Sequence, residues 1–226
     1  DNISKILVTG GAGFVGSNLC NTLASQGHEV TVVDNLKNGS KDNLIESIAL
    51  IEEDIVEYDL ASNLDFSADF VYPLVCTGLQ ESMMYPKLDL DVNGKSILNS
   101  LNYAKESGAS LIYTGSGAVH GIVERDDLPL HEGSKTQPSN FYGATKLLAE
   151  YYCKIYSLEH NVPTMICRLW NVYGYPQRIN YEIGWIPVVT AFLTLKEPSI
   201  FGDGNQTRDF TYVKDVVDGL ILGMKK

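Results

Sequence analysis

Ile6-Leu7-Val8-Thr9-Gly10-Gly11-Ala12-Gly13-Phe14-Val15-Gly16-Ser17-Asn18-Leu19 is the stretch that decides the fold. Residues 5–9 read as a short buried strand, Gly10 to Gly16 as a turn, and 14–25 as a helix with Val15, Leu19 and Leu23 on one face. Glycines at 10, 13 and 16 permit a tight turn, a close approach of backbone to a diphosphate, and close packing of helix on strand. The free amides and positive dipole end of the helix, at Phe14, Val15 and Gly16, then face an anion. The spacing is Gly-x-x-Gly-x-x-Gly, and such a cluster alone suits a structural turn equally well. Asp34 adds the deciding context. It closes the next strand, 30–33, about 20 residues on, where a carboxylate accepts both ribose hydroxyls of an adenosine and repels a 2′-phosphate. Together they predict a bound dinucleotide, NAD rather than NADP.

The same alternation continues outward. Residues 48–51 and 70–72 read as strands, with Pro73 at the end of the latter because it brings no donor to a ladder. A helix over 88–106, a strand over 110–113, a helix over 142–159 and a strand over 164–168 follow. Strand and helix in alternation imply an α/β fold of Rossmann type, a doubly wound parallel sheet with helices on both faces. After Arg168 the pattern changes. Residues 173–176 read as loop, a helix is expected near 186–195, and 201–204 form a turn. A last helix over 213–224, apolar at Val213, Val216, Val217, Leu220 and Ile221, is expected to pack back on the sheet. Residues 1–168 are thus expected to form the dinucleotide-binding domain and 169–226 a substrate-binding region.

Composition narrows the partners. A net charge of −11 over 226 residues argues against nucleic acid and against an anionic membrane. A small anionic ligand remains compatible, since a helix N-terminus and one arginine keep a site locally positive. The four cysteines (Cys20, Cys76, Cys153 and Cys167) are far apart, and His28, His131 and His160 share no ligand spacing, so no metal site or disulfide framework is expected. With no apolar run of membrane-spanning length and no leader pattern, a cytoplasmic, reducing location is expected.

Tyr142 and Lys146 form the single Tyr-x-x-x-Lys of the chain. The spacing alone is unremarkable for a chain with 13 tyrosines, but here it opens a helix, which puts phenol and ammonium on one face. Ser116 lies just past the strand over 110–113, at the carboxyl end of the sheet, where ligands sit in such folds. A lysine charge beside a phenol favours phenolate, making Tyr142 a usable base or acid, and Ser116 can hold a substrate oxygen while its proton moves.

With both constellations in place, the chain resembles the extended short-chain dehydrogenase/reductase family, in particular its NAD-dependent sugar-nucleotide epimerases and dehydratases. The matching stretches are 6–19, 32–40, 53–55, 92–94, 114–121, 141–150, 168–174 and 200–217, in the family's order. The resemblance implies roles for individual residues. Asp54 and Ile55 match the pair that borders adenine, and Asn35, Asn38 and Leu74 complete the implied cofactor set. Tyr142 and Lys146 match the catalytic base and the lysine that holds the nicotinamide ribose, Ser116 the third catalytic position, and Asn93 an asparagine that supports them. Asn171 and Arg208 match contacts to the sugar nucleotide's diphosphate, where a guanidinium can clamp two oxygens. A homodimer through the helices over 88–106 and 142–159 is implied as well.

The resemblance also bears on the reaction. Dehydratases of the family carry Asp-Glu after the catalytic hydroxyl residue, and uronate decarboxylases a glutamate. Here Gly117 and Ala118 follow Ser116. The expected reaction is therefore C4 epimerisation of a UDP-sugar through a 4-keto intermediate. A related dehydratase or reductase, and a catalytically weak NAD- or sugar-nucleotide-binding protein, are the alternatives. Three departures from the family stand out. Pro73-Leu74-Val75-Cys76-Thr77 replaces smaller residues beside the cofactor, His120 replaces a tyrosine, and the family's chains continue beyond residue 226, which would leave the substrate-binding region incomplete.

Overall fold

The computed structural model describes residues 3–177, 189, 191–195, 197 and 202–225. Strands β1 (Lys5–Thr9), β2 (Glu29–Val33), β3 (Ala49–Ile51), β4 (Phe70–Pro73), β5 (Ser110–Ser116) and β6 (Thr164–Leu169) form one sheet in the order β3-β2-β1-β4-β5-β6. Every pairing in it is parallel. The chain works outward from β1 to β3, then returns to the other side of β1 with β4, so a crevice opens at the carboxyl ends between β1 and β4. A second, two-stranded sheet pairs β7 (Val172–Tyr173) with β8 (Thr211–Tyr212), a feature the sequence pattern did not suggest.

The helices are α1 (Phe14–Ser25), α2 (Leu60–Asn63), α3 (Leu79–Met84), α4 (Pro86–Asp89), α5 (Lys95–Ser107), α6 (Phe141–His160) and α7 (Val213–Leu222). Two cores flank the sheet, as the two-residue period of a strand requires. Leu7, Val71 and Leu111 point to one, where they meet Ile97 and Leu101 of α5 and Ala149 and Cys153 of α6. Ile6, Val8, Tyr72 and Ile112 point to the other, against Leu19 and Leu23 of α1 and Val216, Val217 and Leu220 of α7. The last helix does pack back on the sheet, and the Tyr72 hydroxyl donates to the Leu220 carbonyl at 3.1 Å.

Three boundaries differ from expectation. The helix expected over 88–106 is interrupted. α4 passes into a π-helical turn at Leu90–Gly94 before α5 begins, and this wider turn carries Asp89 and Asn93 into the interior. β5 runs on to Ser116, because pairing with β6 continues to the Ser116–Leu169 register, whereas local pattern ended it at Tyr113. α7 ends at Leu222 and is followed by a 3-10 turn, Gly223–Lys225. Of the helix expected near 186–195, residues 189 and 191–193 are helical, while 186–188 and 190 lie outside the described residues. Among the described residues no helix is long and apolar enough to cross a membrane.

Candidate active site

The turn between β1 and α1 is built so that only glycine fits. Gly10 has φ 74°, and a Cβ there would lie 2.8 Å from the Val75 nitrogen. A Cβ on Gly16 would lie 2.4 Å from the Gly10 oxygen. Gly13 caps α1 without a side-chain hydrogen bond, and no acidic residue stands in the first turn. The amides at Phe14, Val15 and Gly16 are therefore left for an outside acceptor, beside backbone that a diphosphate can approach closely.

Asp34 is 7% exposed, and both its oxygens are engaged, Oδ2 by the Ala12 N–H and Oδ1 by the Leu36 N–H, each at 2.9 Å. The carboxylate thus shapes the turn, and its remaining lone pairs can still accept ribose hydroxyls. Asn35 donates through Nδ2 to Asp54 Oδ2 at 2.9 Å, and Asp54 Oδ1 accepts the Val56 N–H at 3.0 Å. Ile55 is buried in the core beside them. Asn38 precedes Gly39, where a Cβ would lie 2.7 Å from the Ala12 carbonyl carbon, so this loop crosses the glycine turn. Lys37 ties the same loop to α3 through Glu81, at 2.8 Å.

The bulky departure after β4 finds an explanation here. Leu74 packs against the core on the α1 side and Val75 against the core on the α5–α6 side. What stands against Gly10 is therefore the backbone of this segment. Pro73, inside the sheet, loses a donor but keeps its acceptor, since the Thr114 hydroxyl donates to its carbonyl at 3.1 Å.

Across the crevice, α6 presents Tyr142 and Lys146. Its first turn stands against the turn that follows Ser116, where a Cβ on Gly143 would lie 2.6 Å from the Ala118 oxygen. Ser116 ends β5 and accepts the Ala118 N–H at 3.2 Å. Lys146 is buried, donates to the Thr114 carbonyl at 3.0 Å, and lies 5.8 Å from the centre of the Tyr142 ring. It also lies 5.1 Å from the Tyr113 ring, a second tyrosine that the sequence motif did not reveal. Burial, and then the neighbouring Tyr142, push the Tyr113 phenol well above its ordinary range. Tyr113 therefore stays protonated at neutral pH. Behind them Asn93 is buried. Its Oδ1 accepts the Thr77 N–H at 3.0 Å and its Nδ2 donates to Thr145 Oγ1 at 2.9 Å, which links the loop after β4 to α6.

One wall of the crevice is aromatic. The Trp170 indole stacks on His120 with 6.1 Å between centroids and an 8° interplanar angle. His120 is buried, with Nδ1 against the Lys135 carbonyl at 2.9 Å and Nε2 3.3 Å from the Arg168 guanidinium. Arg168 in turn holds Glu150 of α6 by two parallel bonds of 2.9 and 2.8 Å. Farther out, Asn171 donates to the Asp209 carbonyl at 2.9 Å while its own carbonyl accepts the Thr211 N–H at 3.2 Å. The β7–β8 pairing thereby brings the neighbouring Arg208, which is exposed, to the same edge.

Residues 6–226 match the model of the NAD dependent epimerase/dehydratase family. The chain belongs to this family. It is 34% identical over 224 residues to a putative UDP-glucose 4-epimerase of Methanocaldococcus jannaschii, covering 97% of this chain and 73% of the relative. It is 33% identical to UDP-glucuronic acid decarboxylase 1 of Xenopus tropicalis, covering 97% of this chain but 53% of that protein, so the chain spans about half the length of such decarboxylases. The UDP-N-acetylglucosamine 4-epimerase of Methanobrevibacter ruminantium M1, solved with UDP-N-acetylmuramic acid, superposes with a TM-score of 0.93 at 30% identity. That match covers 100% of this chain and 74% of the other. NAD is the cofactor of the family. The uncapped α1 N-terminus, the glycine turn and Asp34 fit it. Replacing Asp34 with alanine is expected to weaken NAD binding about tenfold or more, the scale of a lost hydrogen bond to a charged group, as read by calorimetric titration.

Proposed function

We propose that the chain acts as an NAD-dependent enzyme that inverts a UDP-sugar at C4. In this reading residues 1–168 hold NAD, and 169–226 contribute to the substrate side, with α7 returned to the sheet. The glycine turn and the α1 amides hold the pyrophosphate. Asp34 with Asn35 and Asn38 holds the adenosine ribose, Asp54, Ile55 and Leu74 border the adenosine, and Lys146 holds the nicotinamide ribose. Held there, NAD would supply reversible hydride acceptance at C4 of the sugar. Tyr142 takes the proton from the C4 hydroxyl and gives it back, Ser116 fixes that oxygen, and Asn171 and Arg208 hold the diphosphate of the nucleotide.

The observation that carries epimerisation over elimination or decarboxylation is the space beside Ser116. A Cβ on Gly117 would lie 2.6 Å from Cδ2 and Cε3 of the Trp170 indole. An acidic side chain, the group that a 4-keto sugar needs nearby for chemistry at C5 or C6, has no room after the catalytic hydroxyl. Ala118, the next residue, offers no acid. Hydride transfer out and back is what the remaining groups support. The chain incubated with UDP-glucose, UDP-N-acetylglucosamine or a UDP-uronate is expected to form the 4-epimer, followed by chromatography of the nucleotide sugars. Release of carbon dioxide from the uronate, or a 6-deoxy-4-keto product, would overturn the assignment.

The same reading includes a homodimer. Tyr151, Ile155 and Leu158 of α6 are 53%, 47% and 79% exposed and share one helical stripe, which suits packing against a second copy.

A further inference from the structure

The loop after β2 and the helix after β4 stand on opposite banks of the glycine turn, because β1 lies between those two strands in the sheet. On one bank the loop is held to the turn by the Ser40 N–H and the Asn43 side-chain amide, which donate to the Ala12 carbonyl at 3.1 and 2.9 Å. On the other bank α3 is anchored by its buried Ser82, beyond the segment whose Val75 nitrogen faces Gly10. Lys37 Nζ and Glu81 Oε1 meet between the banks at 2.8 Å, 44 residues apart in the chain. Their side chains are 56% and 26% exposed, which puts the bridge on the solvent side of the crevice. The pairs Lys95–Asp91 and Arg168–Glu150 do nothing of the kind: one lies within a helical turn and the other joins α6 to β6.

What aims Lys37 is the adenosine side of the site. Leu36 has φ 57°, a left-handed conformation rare for a branched side chain, and its N–H donates to Asp34 Oδ1 at 2.9 Å. The Lys37 N–H donates to Asn35 Oδ1 at 3.0 Å. The two residues assigned to the ribose thus also set the direction in which the lysine reaches.

We propose that Lys37 and Glu81 form a clasp that retains NAD, joining the two banks between which its pyrophosphate lies. The inference rests on the seat given above to the pyrophosphate, at the glycine turn and the α1 amides. A bridge on the solvent side of the crevice must open for the cofactor to enter and again for it to leave. It raises the barrier in both directions and changes affinity little, unlike a group that touches the ligand, which acts mainly through release. A partly exposed pair contributes little to the stability of the fold, so its effect comes from where it stands. Retention suits the chemistry proposed here, because an NAD restored within each turnover has no need to exchange.

The test is binding and exchange of radiolabelled NAD, with entry and release timed separately and no sugar nucleotide present. Glu81→Gln is expected to speed both about two- to fivefold, the scale of a partly exposed ion pair, with Kd changed by less than about twofold. The reversed pair, Lys37→Glu with Glu81→Lys, is expected to bring both rates back toward wild type, while either reversal alone leaves them fast. Unchanged rates in Glu81→Gln overturn the proposal, and so does a reversed pair as fast as the single changes. A Lys37→Met protein that binds NAD more weakly, beside a Glu81→Gln protein with wild-type rates, overturns it as well and makes Lys37 a direct contact of the phosphates. Because this readout needs no turnover, failure of the epimerase reading shows separately, as a wild-type protein that exchanges NAD but converts no UDP-sugar.

Discussion

Tyr142→Phe is expected to lower kcat for conversion of a UDP-sugar to its 4-epimer by about 10²–10⁴-fold, the usual scale of a lost acid–base group, with NAD still bound. In the proposed function the phenol is the group that exchanges a proton with the sugar hydroxyl. Lys146 is engaged by the Thr114 carbonyl and lies over two tyrosine rings, and in the proposed function it holds the nicotinamide ribose. Tyr113, the other phenol within reach of Lys146, is kept protonated by burial and cannot substitute. The variant removes a hydroxyl from a half-buried ring and leaves the glycine turn and Asp34 untouched, so cofactor content should not fall. Turnover by product chromatography and NAD content of the denatured protein check both halves. Retention of wild-type kcat would remove Tyr142 from its proposed role, and loss of NAD together with activity would make it a structural residue.

The glycine turn, the alternation of strands and helices and the Tyr142–Lys146 spacing could be read from sequence because each depends on residues close together in the chain. The turn is dictated by φ at Gly10 and by the closeness of Gly16 to the Gly10 oxygen, which glycine spacing reports directly. The π-helical turn could not be read that way. Residues 88–106 carry a helical pattern throughout, and what widens the turn is the pull of Thr77 and Thr145 on Asp89 and Asn93, residues from elsewhere in the chain. The (i, i+4) spacing of Asp89 and Asn93 was the available signal, and it points to one helical face without saying what lies opposite. Trp170 is similar. Its sequence neighbours say only that it follows a strand, whereas its contact with Gly117 explains why no side chain follows Ser116. The end of β5 was underestimated for a related reason: Gly115 and Ser116 have weak strand preference, and pairing with Arg168 and Leu169 overrides it.

Glu150→Ala is expected to cost about 3–5 kcal/mol of stability, because it strands the Arg168 guanidinium inside the fold without its carboxylate. Glu150 is 1% exposed and the Arg168 side chain 19%, so water can replace little of what is lost. The Glu150 hydrogen bonds raise the arginine above its ordinary range, outweighing a lowering by burial. A cation whose value is raised on folding contributes its full stabilisation below the unfolded value and loses it only above. On the arginine side the penalty is therefore constant through the whole neutral range. For a domain of this size the cost corresponds to a fall in Tm of about 10 °C, measured by scanning calorimetry. The effect should also reach the crevice, since Arg168 contacts His120, and His120 stacks on the Trp170 indole that closes the space beside Gly117. Tryptophan fluorescence of the folded variant is expected to change as the indole loses that support. The double change Glu150→Leu with Arg168→Met separates uncompensated charge from lost volume. It should recover much of the stability if the stranded guanidinium is the cause, and none of it if the cost is a cavity under β5.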